Sequence, residues 1–401
     1  MLVFRLMLRN LFSRPVLTMV TVALIGVAVA LVVSILVLSR AMEDGLVRAA
    51  RPFDLLVGAK GSQTQLIMST VLLQDAPPGN IPWDYFEALR SDPRVKQGVP
   101  LAFGDNAYGT PIVGVGSAFF ELGDPKTNEP YFALAQGRVF SWEEVEEGKW
   151  EAIAGSQAAL TFGLGDTFQS QHGAVGQVPG GTHKEHFTLV GILKASDTPM
   201  DRAIFVPIGN YWEAHGKDTR AELQITAAMI RPRDITGFYQ LHREINRDSV
   251  AQAVLAGQGM AQLFDLLDRG KEVLTLVSYL AMAMGAANVF LASYAVGAWR
   301  RRETAILRAL GAGRWSVFAT GLFEALATAL MGALLGTGAG HLAAWVIAWQ
   351  MRNASAIPIQ PTFVPSEVLV GGAMLLLAAA AGLLPAIQSY QQDVATTLTS
   401  L

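Results

Sequence analysis

Hydrophobic and polar positions divide this chain into four long apolar runs and one long polar insert. Pro15 to Ser39, Val273 to Trp299, Ala325 to Met351 and Val368 to Gln392 contain no Asp, Glu, Lys or Arg. Each is long enough to cross a bilayer, which takes roughly 20 residues. The remainder from about Arg40 to Glu272 is one uninterrupted insert between the first and second runs. The pattern predicts a membrane α-helical protein with four transmembrane helices and a large extracytoplasmic α+β domain inserted between helices 1 and 2. The expected divisions are a cytoplasmic amphipathic segment (1–14), span 1 (15–39), the outer domain with helical stalks (40–272), span 2 (273–299), a cytoplasmic helix (300–315), span 3 (316–351), an outer loop (352–366), span 4 (367–392) and a cytoplasmic tail (393–401).

Inside the insert, the expected stalk Ala41–Arg51 runs to Pro52, and Phe53 to Gly58 then reads as a strand. Pro82 to Ser91 reads as a helix, and Arg94 to Val115 as two strands around Gly104 and Gly109. From Tyr131 to Pro207 the punctuation is β-like, with short strands at Glu151–Ala154, Thr188–Leu193 and Ala203–Val206. Asp218 to Arg231 returns to a strand, Asp234 to Arg247 to a helix, and Met260 to Glu272 to a second stalk. These elements suggest two α+β lobes on two stalks.

Composition fits this division. The chain is 401 residues long, 51% hydrophobic and 16% charged, with a mean hydropathy of +0.34. That is too apolar for an ordinary soluble protein and too polar for membrane spans alone. A net charge of -3 gives no nucleic-acid footprint. With no cysteine, disulfides, thiolate metal sites and cysteine catalysis are excluded.

Charge sets the expected orientation. Arg300, Arg301, Arg302, Arg308 and Arg314 load the loop between spans 2 and 3, whereas the loop from Arg352 to Glu367 carries a single basic residue. The basic loop stays inside, which places both termini in the cytoplasm and the large domain outside the membrane. Arg5, Arg9 and Arg14 agree, and the apolar positions between them suit an interfacial amphipathic helix or a simple basic flank. The first run is too long for the apolar core of a signal peptide and reads as a retained span. Along span 3, Gly332, Gly336 and Gly340 recur every fourth residue, which puts them on one helix face where another helix can approach closely. Glu324, near the start of that span, is an isolated acid expected at the inner interface.

The basic stretch Arg301-Arg302-Glu303-Thr304-Ala305-Ile306-Leu307-Arg308-Ala309-Leu310-Gly311-Ala312 reads as a short charged helix stopped at Gly311. On its own it is either a topogenic loop or a docking element. It is similar to the "R-R-E-I-A-I-L-R-A-L-G-A" signature of the FtsX/MacB family of ABC transporter permeases. Leu8-Arg9-Asn10-Leu11-Phe12-Ser13-Arg14-Pro15 resembles that family's opening, and Gly382-Leu383-Leu384-Pro385-Ala386 resembles its last-span ending. The resemblance implies a coupling helix seated in a separate cytoplasmic ATPase, with Arg301, Arg302, Glu303, Ala305, Arg308 and Gly311 as the coupling residues. It also implies two permease chains with two ATPase chains, a homodimer in the inner membrane, and a periplasmic domain moved by ATP-driven closure rather than a central channel. Cargo would be exported or handled at the envelope, with a lipoprotein or other periplasmic partner.

No glycine-rich phosphate loop ending in Lys-Ser/Thr occurs in the chain, so ATP and Mg belong to the partner. No span carries a His-Glu-x-x-His, a Gly-x-Ser-x-Gly or a paired-aspartate pattern, so no catalytic residue is assigned. Asp54 to Ser62 and Gly79 to Pro82 depart from the best-known members of the family, which leaves the cargo open. A membrane-anchored binding or signalling protein is the alternative from another class.

Three of the six histidines, His172, His183 and His186, fall in one glycine-rich stretch. Three imidazoles with Glu185 or Asp201 as an oxygen donor suit zinc, with nickel and copper as alternatives. The plain reading of the same stretch is a solvated loop tip. The metal reading would turn the same permease engine towards periplasmic zinc homeostasis.

Overall fold

The computed structural model describes residues 7, 9, 11–140, 149–173, 180–216, 222–299, 301–309, 311–351 and 359–391. The chain forms two units. One comprises Met1–Ala41, Leu267–Met351 and Gln360–Leu401, and the other Met42–Leu266 with Arg352–Ile359. Most of the expected amphipathic segment 1–14, much of the outer loop 352–366 and the tail 393–401 lie outside the described residues.

The first helix, α1 (Pro15–Ala50), begins on proline, whose fixed φ suits a first helical position. β1 (Leu55–Ala59) is buried along its whole length, as its unbroken Leu-Leu-Val-Gly-Ala run demands. Leu56 joins one apolar core, while Leu55 and Val57 join another on the opposite face. Ser62 caps α2 (Gln63–Thr70) by accepting the Gln65 N–H. β2 (Ile81–Pro82), α3 (Trp83–Arg90), β3 (Val95–Ala107) and β4 (Thr110–Val115) follow, then β5 (Leu134–Gly137), β6 (Glu151–Ala154), β7 (Thr167–His172), β8 (Thr182–Leu193) and β9 (Ile204–Pro207). The outer unit is completed by α4 (Ile208–Ala214), β10 (Gln224–Ile225), β11 (Ala227–Pro232), α5 (Ile235–Arg247) and β12 (Ala251–Leu255). Asp234 caps α5, accepting the Gly237 N–H at 2.6 Å.

The expected two lobes are instead joined by one ten-stranded sheet, in the order β12-β1-β11-β3-β4-β9-β6-β8-β5, with β7 pairing both β3 and β8. β3 is the reason. Val95 to Leu101 pair with β11, Leu101 to Ala107 with β4, and Asp105 and Asn106 also with β7, with a register shift against β4 between Phe103 and Asp105. Gly104 sits in that shift at φ +140°, where glycine is favoured. Phe119 and Phe132 stack at 4.3 Å between ring centroids in the larger core.

The helix α6 (Ala256–Trp299) is continuous through the expected second stalk and span 2. The short helix α7 (Arg301–Ala309) precedes α8 (Arg314–Met351) and α9 (Ser366–Gln391). Among the described residues, four helices are long and apolar enough to cross a membrane, in α1, α6, α8 and α9.

Candidate functional site

Where β3, β7, β8 and the end of α4 meet, four side chains converge: Asp105, His172, His183 and His215, with one ligand atom from each lying within 4.8 Å of all the others. Asp105 follows the Gly104 bulge and stands opposite His172 in the β3–β7 ladder. Two hydrogen bonds hold the end of β7 to β3. The Gly173 N–H donates to the Gly104 carbonyl at 2.8 Å, and the Asn106 amide donates to the Gly173 carbonyl at 2.8 Å. His183 is the buried second residue of β8, and His215 sits just past the end of α4.

His172 Nδ1 lies 3.3 Å from Asp105 Oδ1, His183 Nε2 3.3 Å from Oδ2, and His215 Nε2 3.4 Å from Oδ1. The three rings lie against one another at centroid separations of 4.2, 5.0 and 4.7 Å. Asp105 is 4% exposed and His183 8%. Asp105 Oδ1 and His183 Nε2 are both buried without a hydrogen-bond partner, and a buried unsatisfied polar atom costs about 1–3 kcal/mol. Burial, with the neighbouring His172 and His215, holds the His183 imidazole below its ordinary value of 6.5 despite the opposing pull of Asp105. His215 Nδ1 donates to the Tyr211 carbonyl at 2.7 Å, since a carbonyl can only accept. In the neutral ring this leaves the lone pair on Nε2, the atom that faces Asp105.

His186, which its spacing groups with His172 and His183, is not in the cluster. The segment from Thr182 is a strand rather than a loop, and residues three apart on a strand point to opposite faces. His183, Phe187 and Leu189 are buried, whereas His186 is exposed. Neither expected oxygen donor belongs to the cluster. Glu185 lies outside it, and the buried Asp201 accepts the Ser196 N–H, the Ser196 hydroxyl and the Asp197 N–H. Asp105 takes that place, and His215 the place of His186. Gly104 in a strand pattern signals a bulge beside Asp105, but nothing in local spacing links either residue to His172.

At the other candidate site, Gly311 ends α7 at φ +99°, and its N–H donates to the Arg308 carbonyl at 3.0 Å. Ala305 is buried and Arg308 half-buried. Arg301, Arg302 and Glu303 form the first turn of α7, and their side chains are outside the described residues. Gly332, Gly336 and Gly340 lie against α1. A Cβ on Gly336 would come 2.6 Å from the Gly26 carbonyl oxygen, and one on Gly340 2.9 Å from that of Ala30.

Comparison with known proteins bears on both ends of the chain. Residues 18–255 match the MacB-like periplasmic core domain and residues 275–394 the FtsX-like permease C-terminal domain. The lipoprotein-releasing system transmembrane protein LolC of Xylella fastidiosa (strain 9a5c) is 23% identical over 355 residues, covering 84% of this chain and 78% of that protein. The extracellular domain of the noncanonic ABC-type transporter YknZ from Gram-positive bacteria aligns with 50% of this chain and 98% of its own, at 16% identity and a TM-score of 0.31. The periplasmic region of MacB from Actinobacillus actinomycetemcomitans aligns with 54% and 95%, at 10% identity and a TM-score of 0.35. With the core-domain match spanning more than half its length, and the permease match following in the expected order, the chain belongs to the FtsX/MacB family of ABC transporter permeases.

Proposed function

We propose that this permease transmits ATP-driven closure of a separate cytoplasmic ATPase, through α7, into movement of its periplasmic domain. The working unit in this reading is two copies of the chain with two ATPase chains, and both termini are cytoplasmic. The observation that carries it is α7 itself, a charged helix set between two apolar helices and ended by a left-handed glycine. A short, firmly ended helix with Arg302, Glu303 and Arg308 offers orientation-specific ion pairs to a protein groove. A loop that only fixed topology would need the charge and not the helix. Export or lipoprotein handling at the envelope is the cargo reading in line with the LolC relative. The cluster at Asp105 favours a second reading, in which the same engine serves periplasmic zinc homeostasis.

The test is ATPase activity and co-purification for the chain co-expressed with its cognate ATPase, wild type against a Glu303→Ala plus Arg308→Ala variant. Loss of association, or of the permease's effect on hydrolysis, is the expected result. Unchanged binding and turnover would reduce α7 to a topological loop.

A further inference from the structure

We infer that Asp105, His172, His183 and His215 form a binding site for one divalent transition-metal ion of the zinc class on the outer domain. The site does not depend on what the ATPase drives, and the two ideas fail independently.

The geometry is that of ligands awaiting a cation. A tetrahedral zinc ion with bonds of about 2.0–2.1 Å holds neighbouring ligand atoms about 3.3–3.4 Å apart. His172 Nδ1 and His215 Nε2 stand 3.3 and 3.4 Å from Asp105 Oδ1, and His183 Nε2 stands 3.3 Å from the other carboxylate oxygen, Oδ2. The ligand atoms as a group extend to 4.8 Å, so a bound ion draws the imidazoles slightly inward. A hydrogen-bonded arrangement would satisfy Asp105 Oδ1 and His183 Nε2, yet both are buried and unpartnered.

The outer shell is also that of a metal site. Metal-binding histidines usually donate their second ring nitrogen to a carbonyl or carboxylate, which fixes the tautomer. His215 does so to the Tyr211 carbonyl of α4. Three nitrogens with one oxygen suit zinc and its neighbours better than magnesium or calcium, which prefer oxygen alone.

Access supports an exchangeable ion. Asp105, His172 and His215 line a cavity of about 230 Å³ together with Asn80, Tyr211 and Gln224. The His172 side chain is 48% exposed, so an ion entering through the cavity meets His172 and His215 before the buried His183.

The test is titration of the full chain, purified in detergent without a histidine tag, with Co²⁺ followed by Zn²⁺. The expected result is one Co²⁺ per chain with a tetrahedral visible spectrum that Zn²⁺ displaces. His183→Gln and Asp105→Asn should each weaken binding at least about ten-fold, and His186→Gln should leave it unchanged. His172→Gln, at the exposed rim, provides a variant that does not disturb the buried interior and should also weaken binding. The inference is overturned if the wild type takes up no stoichiometric ion, if His172→Gln binds like the wild type, or if His186→Gln weakens binding as much as His183→Gln.

Discussion

Gly332 of α8 lies so close to Ile25 of α1 that a Cβ on the glycine would fall 2.6 Å from Ile25 Cγ2. Ile25 is fully buried in the apolar cluster shared by these helices. The same helix supplies an internal control, since a Cβ on Gly338 would meet nothing within 4 Å. Gly332→Ala should lower the thermal midpoint of the detergent-solubilised protein, with overpacking costing about 1–3 kcal/mol. Gly338→Ala should leave it unchanged or raise it slightly. Equal midpoints for the two variants would show that close packing against α1 is not what the glycine supplies.

Arg94 ties the turn before β3 to α5, with ion pairs of 2.7 Å to both Asp92 and Glu244. Its hydrogen bonds hold the two carboxyls below their ordinary values of 3.8 and 4.5. A folded value below the unfolded one means that the contribution is present above the unfolded value and lost as pH falls through the folded one. Unfolding curves of wild type and Arg94→Ala should therefore differ at pH 7, and the gap should close as the pH falls from the ordinary carboxyl values of 4.5 and 3.8 through the depressed folded values below them. The groups are partly exposed, so the gap at pH 7 should be small and shrink with salt. A gap that persists in strong acid would point to lost packing of the arginine stem instead.

The charge-free runs made the four apolar helices legible, because the bilayer leaves hydrocarbon length as almost the sole constraint on such segments. Half of the Asp105 cluster was legible for a weaker reason, the crowding of histidines between 172 and 186. His186 misled because a glycine-rich stretch reads as loop, whereas β8 begins already at Thr182 and imposes a two-residue period. Asp105 and His215 were illegible because β3–β7 pairing and the packing of α4 bring them to His172, and neither is written in local spacing. β12 was missed for a related reason. Ala251 to Leu255 is too short and too weakly patterned to announce a strand, yet pairing with β1 buries all five of its residues.

The Gly104 bulge gives a backbone route to the same site. Its φ of +140° and the Tyr211 hydroxyl, which would stand 3.2 Å from an added Cβ, both disfavour a side chain there. Gly104→Val should lower stability, since strain in a sparsely populated backbone region costs about 1–3 kcal/mol. It should also weaken Co²⁺ binding without altering any ligand, because the register shift that presents Asp105 to His172 depends on that residue. The measurement is the pair of thermal midpoint and metal affinity on one preparation. Retained affinity in a destabilised variant would show that the bulge serves the fold alone.

Metal binding should also be visible as folding energy. An ion that binds the native state alone stabilises it by RT ln(1 + [L]/Kd), about 2.7 kcal/mol at a hundred-fold excess over Kd. In this domain the ion would join β3, β7 and β8 to α4 and relieve two buried unpartnered atoms, Asp105 Oδ1 and His183 Nε2. Zinc should therefore raise the thermal midpoint of the wild type in proportion to the logarithm of its concentration, and magnesium should not. The His186→Gln variant should respond like the wild type, because its side chain points away from the cluster, whereas His183→Gln should not respond. If zinc raises the midpoint of His183→Gln as far as that of the wild type, the stabilisation arises elsewhere on the chain, and the convergence of the four side chains is a packing feature of the sheet.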